Sequence, residues 1–291
     1  EESQLVNHSH YRFPHIYYSI LQCHIEGALN MSSTSSYTAV VIPAYNEETG
    51  IISVLDNLAM LNTALKIIPV LNGCTDNTRQ NILTHPFVTS SPIHLAMMEY
   101  PLPLGIDVPR RWGAHCAYAM DADAVLFVDG DMTGCYADCL HQLVEAVLHH
   151  KCDLALVNCY PYIGYRSEIA KVVLYYREKL NRTLRLFSTI GLATPSHGPH
   201  CVSQRLIETI GTECFVTPPL MLAKAAKAHL QIQVVSTLNN NQWQSAQRGD
   251  IHNEKIAETI IGDCIAALEY LEGKPITRSD GEKVYLGYKS L

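Results

Sequence analysis

Val125-Leu126-Phe127-Val128-Asp129-Gly130-Asp131 runs four apolar residues straight into two carboxylates that flank a glycine. An apolar run of this length reads as a buried strand, and its abrupt polar end marks where the chain leaves the sheet. Two acids one residue apart in that position repel each other unless a cation joins them. Oxygen-only ligation in an open site suits Mg²⁺ or Mn²⁺. The same triplet also serves as a plain turn or helix cap, so its weight comes from its place after a strand.

Short apolar runs on either side extend the pattern. Ala39 to Ile42, Ile67 to Leu71, Ile93 to Met97, Ala124 to Val128, Asp153 to Val157 and Ile232 to Val235 read as strands. Between the first two, Ile51, Leu55, Leu58 and Leu61 form one face of a helix. Leu140, Val144, Val147 and Leu148 form another such face. A third helix starts near Asn253 with the stripe Ile256, Ile260, Cys264, Leu268 and Leu271, and stops before Gly273 and Pro275. A further helical segment is read over Val202 to Ile210. Strands alternating with helices predict an α/β fold with a mostly parallel central sheet flanked by helices. Residues 1–36, rich in His and Tyr and ending in a Ser/Thr run, read as an N-terminal extension. Residues 37–150 then form one half, and 151–291 a second half with a C-terminal helix. In such sheets ligands bind beyond the carboxyl ends of the strands, so the residues just after each strand are the ones that count.

Composition narrows the function classes. The 291 residues carry a net charge of -7, with 17% charged and 47% hydrophobic residues. The chain is long enough for a sizeable core and lacks the basic field of a general nucleic-acid binder. Ten cysteines are irregularly spaced, and Cys135 with Cys139 has no second pair to complete a zinc site. They read as reduced thiols of a cytoplasmic protein. No apolar run is long enough for a transmembrane segment, and no secretory leader pattern is present. Ile169 to Phe187 carries Lys171, Arg177, Lys179, Arg182 and Arg185. It reads as a helix with one buried and one solvated face, or as one in peripheral contact with an anionic membrane. The composition leaves a homo-oligomer open.

Two more polar turns follow strands. In Val41-Ile42-Pro43-Ala44-Tyr45-Asn46-Glu47-Glu48, Pro43 removes a backbone donor where the sheet ends. Tyr45 offers an aromatic face for a base, and Glu47 can accept from ribose hydroxyls or base N–H groups, or simply serve a helix start. In Asn72-Gly73-Cys74-Thr75-Asp76-Asn77-Thr78, the Asn72 amide can read a base edge, while Asp76 reads as a cap that orders the turn.

VIPAYNEE, NGCTDNT and the strand ending in DGD, in that order and about 30 then 50 residues apart, resemble the nucleotide-binding half of family-2 glycosyltransferases and their GT-A relatives. The likeness covers Ala39 to Thr133 well and Leu154 to Val235 in outline. It implies a GT-A, Rossmann-like domain that binds a UDP- or GDP-linked sugar, with Pro43, Ala44, Tyr45 and Glu47 around the nucleoside and Asn72 nearby. Asp129 and Gly130 would face the ribose and metal, and Asp131 would ligate the Mn²⁺ or Mg²⁺ that bridges the diphosphate. Arg110, in Arg110-Arg111-Trp112-Gly113, falls where such enzymes carry an Arg-Asn-x-Gly stretch and is a candidate for contacts near the diphosphate; a surface salt bridge is the competing reading.

Departures from the family pattern matter as much. Leu71 and Asn72 stand where an acidic pair is usual, which leaves the nucleotide open. Phe215-Val216-Thr217-Pro218-Pro219 stands where inverting members place the carboxylate that acts as base. Either Glu213 or Asp250 supplies the base, or the enzyme is retaining. His252, read as lying in a glycine-containing loop before the last helix, is a candidate third metal ligand, as similarity to retaining GT-A transferases implies. Pro195-Ser196-His197-Gly198-Pro199-His200 is a rigid loop in the region where GT-A enzymes bind the acceptor, so His197 and His200 are candidates for acceptor contacts. The acceptor itself is not named by any motif. The alternatives are a nucleotidyltransferase, against which the missing Gly-rich basic phosphate loop argues, and an inactive relative that binds only a nucleotide or a partner.

Overall fold

Alternate residues of a strand face opposite ways, and that period of two divides this core into two layers. In β1 (Thr38–Ala44), Ala39 and Val41 join one apolar cluster, while Val40, Ile42 and Ala44 join the other. β2 (Leu65–Asn72) divides likewise, Ile68 and Val70 against Leu65, Ile67 and Leu71. The remaining strands are β3 (His94–Leu95), β4 (Met98–Tyr100), β5 (Ala124–Phe127), β6 (Met132–Gly134), β7 (Leu154–Asn158), β8 (His200–Ser203), β9 (Ile232–Thr237) and β10 (Trp243–Ser245). The computed structural model describes residues 36–90, 94–161, 167–238, 243–245 and 249–290. The N-terminal extension lies almost wholly outside them.

Eight strands form one sheet in the order β3-β2-β1-β5-β8-β7-β9, with β4 also paired to β2. All pairings are parallel except those of β8, which runs antiparallel to both β5 and β7. The mostly parallel sheet therefore matches expectation, with β8 as the exception. The chain from 36 to 291 forms one compact unit, so the halves expected at 37–150 and 151–291 share a single sheet. β6 and β10 form a separate antiparallel pair.

Helices cover both faces. α1 (Gly50–Ala59), α2 (Thr78–Thr84) and α4 (Ala137–His149) lie on the side of Val40 and Ile42, through Ile51, Leu55, Ile82, Leu140 and Val144. α3 (Val108–Ala119), α5 (Glu168–Thr183), α6 (Gln204–Ile210), α7 (Pro218–Lys227) and α8 (Asp250–Leu271) lie on the side of Val41. Among the described residues no helix is long and apolar enough to cross a membrane.

Some boundaries differ from the sequence reading. Of the strand expected over Ile93 to Met97 only His94–Leu95 is realised among the described residues, as β3, and β4 follows beyond its expected end; both run parallel to β2. Val202, expected in a helix, lies in β8 instead: the Ser203 hydroxyl accepts from Leu206 N at 3.0 Å and caps α6, so the helix begins at Gln204. Arg177, expected on the solvated face of α5, is completely buried, whereas Lys171, Lys179 and Arg182 are exposed.

Candidate active site

Asp129 continues the phase of Val125 and Phe127, which places its carboxylate on the α3 side of the sheet. There the first turn of α3 brings up Arg110, whose guanidinium pairs with Asp129 Oδ1 and, at 2.6 Å, with Asp107 Oδ1. Asp129 remains 35% exposed, and Oδ1 is its oxygen turned to Arg110. The salt bridge weighed for Arg110 is thus a double ion pair, buried at Asp107 and half-open at Asp129. Burial pushes Asp107 up to about 6 despite the nearby Arg110 charge, while Arg110 is held above its ordinary value, burial notwithstanding, by Asp129, Asp107 and Asp131.

The turn that carries the two acids is fixed by backbone. Gly130 N donates to Pro43 O at 3.0 Å, and a Cβ on Gly130 would meet that oxygen and Ala44. Gly50, at the start of α1, presses from below: a Cβ there would lie 2.6 Å from Gly130 O and 2.8 Å from Asp131 Cα. Only glycine lets helix and turn approach this closely. Gly130, between the two acids, therefore lies against Pro43 and Ala44.

Around that turn, 45–48 and 74–78 lace together. Asn46 adopts a left-handed φ of 56°, which asparagine tolerates, and its Oδ1 accepts from Thr75 N at 2.7 Å. Glu47 N donates to Thr78 Oγ1, Glu48 N to Asp76 Oδ2, and Asn77 N to Glu48 Oε2. Burial alone would raise the Asp76 carboxyl; hydrogen bonds from Thr78 and Glu48 lower it on balance. Asp76 thus orders the turn. Glu47 is buried and Tyr45 is 42% exposed. Asn72 has a role that was not expected: its Nδ2 donates to Gly105 O at 2.9 Å and its Oδ1 accepts from Leu104 N at 2.8 Å. Both ends of the amide hold the 104–105 backbone, so Asn72 shapes that loop.

The remaining candidates are dispersed. His252 belongs to the first turn of α8, not to a loop, and its Nδ1 meets the Tyr288 hydroxyl. Among the described residues no group of three or more His, Cys, Asp or Glu is placed to hold a metal, so His252 does not complete a triad with Asp129 and Asp131. His197 Nδ1 meets the Tyr160 hydroxyl. His200 is 2% exposed and stacks on Phe127 at 4.8 Å, so its ring is part of the core and offers no open surface to an acceptor. Burial, and secondarily the Arg110 charge, push His200 down to about 3 and keep it neutral. Glu213 is 70% exposed and lies 3.8 Å from Arg111. Asp250 is exposed at the start of α8, where it favours the helix N-terminus.

Sequence reasoning passed over two buried charge clusters. Asp263 accepts from Arg278 and, at 2.7 Å, from Lys289, whose ammonium also reaches Val216 O and Thr217 Oγ1. Asp107 with Arg110 is the other. Each had a signal: Asp263 is a carboxylate within the apolar stripe of the last helix, and Asp107 stands three residues before Arg110 at a helix start.

The fold is shared with crystal structures of glucosyl-3-phosphoglycerate synthase from Mycobacterium tuberculosis. The complex with Mn²⁺, UDP and glucosyl-3-phosphoglycerate matches with a TM-score of 0.57 at 18% identity, over 91% of this chain and 88% of that one. The complex with Mg²⁺ and UDP matches with a TM-score of 0.57 at 16% identity, over 91% and 86%. At these identities the likeness is one of fold. No curated protein matches the chain in sequence. The sequence profile described as Glycosyl transferase family 2 matches residues 39–209, which span both the acidic turn and β8, and the chain belongs to that family.

Proposed function

We propose that this family-2 glycosyltransferase moves a sugar from a UDP- or GDP-linked donor to an acceptor hydroxyl, with Mn²⁺ or Mg²⁺ held at Asp129 and Asp131. The observation that carries the reading is the acidic turn at the carboxyl end of β5, pinned against Pro43 and Ala44 and clamped by Arg110. The donor set fits a hard cation. Asp129 and Asp131 would hold the ion through carboxylate oxygens, the ligand type that Mg²⁺ and Mn²⁺ favour. A bound ion supplies neutralisation of the charge that develops on the leaving diphosphate.

The chain's own residues position the rest. Tyr45 presents its ring for the base, and Pro43 and Ala44 form the floor beside it. Arg110 orients Asp129 through Oδ1 and adds positive potential on the diphosphate side. Glu213 and Asp250 are both surface groups, which favours retention, with the acceptor proton passing to an oxygen of the departing diphosphate. The anomeric configuration of the product, read by proton NMR, tests that course. The cellular setting we assign is the cytoplasm, in keeping with the thiol-rich composition.

Melting temperatures with UDP, GDP and their sugar conjugates, with and without Mn²⁺, test the main reading in the wild type and Asp131→Asn. A ligand at 100 times its Kd adds roughly 2.7 kcal/mol of stability. One nucleotide is expected to stabilise the wild type in a metal-dependent way, and Asp131→Asn to abolish the shift. No shift with any nucleotide and metal would overturn the proposal.

A further inference from the structure

Arg177 is 0% exposed, in the middle of α5. Its Nη1 donates to the Tyr160 hydroxyl, its Nη2 donates to Ser196 Oγ at 3.2 Å, and its Nε has no partner. Its ring contact is with Tyr160 as well, at 5.4 Å from the centroid. No described carboxylate pairs with it. Two thiols feel its charge, Cys159 and Cys264, and burial pushes each up to about 12, so neither supplies a counter-charge. Asp263, next to Cys264, is already engaged by Arg278 and Lys289. A buried cation whose only partners are hydroxyls is costly, and an anion nearby offsets that cost.

The position of this cation matters. β7 and β5 are both antiparallel to β8 and so run the same way. Tyr160 lies two residues beyond Asn158 at the carboxyl end of β7, and the loop 191–199 leads into His200, which pairs with Phe127. The cluster therefore shares the sheet edge that carries Asp129 and Asp131. Arg177 only donates, so Ser196 Oγ accepts from it. Ser196 also pairs with Thr194 Oγ1 at 2.9 Å. Those two hydroxyls hold two protons and use one between them, which leaves one to give. Thr194 is buried, while Ser196 and His197 are partly exposed. Tyr160 also lines a groove of about 320 Å³ with Asn158, Phe187 and Thr189.

We infer that Arg177 charges an anion subsite at the Thr194–His197 loop, which holds a carboxylate or phosphate group of the acceptor through hydroxyls polarised by the guanidinium. Arg177 is a positioning residue here, sealed from the ligand and acting through Ser196 and Tyr160. That the ligand is the acceptor rests on the transferase reading; the subsite does not.

Inorganic sulfate is the probe, with neutral glycerol as control, titrated calorimetrically into the full chain with and without UDP and Mn²⁺. Sulfate is expected to bind the wild type in both conditions. Ser196→Ala should weaken it at least tenfold, Arg177→Met should remove it, and Arg177→Lys should recover most of the affinity. The melting shift given by UDP with Mn²⁺ should persist in Ser196→Ala. If Arg177→Met does not fold, Ser196→Ala and Arg177→Lys decide. Absence of sulfate binding to the wild type, equal affinity in Ser196→Ala, or no recovery by lysine overturns the inference. Loss of the UDP shift in the wild type with the sulfate pattern intact would instead overturn the transferase reading and leave the subsite standing.

Discussion

The turn Asp129–Asp131 and the loop 191–199 share one edge of the sheet, but they are held by different means. The first is fixed by backbone and close approach: Gly130 N on Pro43 O, with Gly50 packed beneath. The second hangs on side chains from α5. Asn181 Nδ2 donates to Gly191 O at 2.7 Å and to Ala193 O at 3.0 Å, and Arg177 holds Ser196. Backbone contact tolerates few residue types and keeps one geometry. A loop held by side chains can be reshaped by changing two or three of them.

Arg110→Met is the severest test of that contrast, because Arg110 is the side chain that pairs with Asp129 at the acidic turn. Its loss leaves buried Asp107, and Asp129 beside it, without their cation. Truncating one partner of a buried pair costs about 3–5 kcal/mol. Urea denaturation should show a loss of that size. A loss below about 1 kcal/mol would mean that the backbone alone holds the turn and that the ion pair is incidental.

Gly50→Ala and Asn181→Ala form a matched pair, each expected to cost about 1–3 kcal/mol by its own route, overpacking in one case and the unsatisfied buried carbonyl of Ala193 in the other. Their kinetic signatures should separate. Gly50→Ala displaces the acidic turn, so kcat falls and metal-dependent nucleotide binding weakens. Asn181→Ala loosens 191–193, so the acceptor KM rises while nucleotide affinity holds. If both variants shift the same parameter, the two regions are one mechanical unit and the contrast fails.

The same contrast explains what was legible in the sequence. Strands β1, β2 and β5 and helix α1 were readable because their apolar periodicities are local, and the acidic turn because a strand ending in two acids is rare in chemical terms. The hold of Asn72 on the 104–105 loop was not legible, because its partners Leu104 and Gly105 stand more than 30 positions away. His252 was placed in a loop because Gly249 stands just before it, yet that glycine is the N-cap of α8. Arg177 looked like a surface residue among other basic residues. Its burial is decided by Tyr160 and Ser196, which precede and follow it by 17 and 19 positions and carry no local sign of the contact.

His200 lies at the seam, on β8, stacked on Phe127 two residues before Asp129. In the unfolded chain its imidazole takes a proton near pH 6.5; in the folded chain burial, then Arg110, hold that step down to about 3. Between those values the unfolded state binds the extra proton and the folded state does not, so stability falls as pH drops through this window. The slope from this group is about 1.4 kcal/mol per pH unit below 6.5. His200→Phe keeps a ring on Phe127 and removes the titration. Urea midpoints at pH 7.5, 6.0 and 5.0 should therefore fall more steeply for the wild type than for the variant. Parallel curves would mean that His200 takes its proton in the folded state, and hence that the seam between the two regions opens to water.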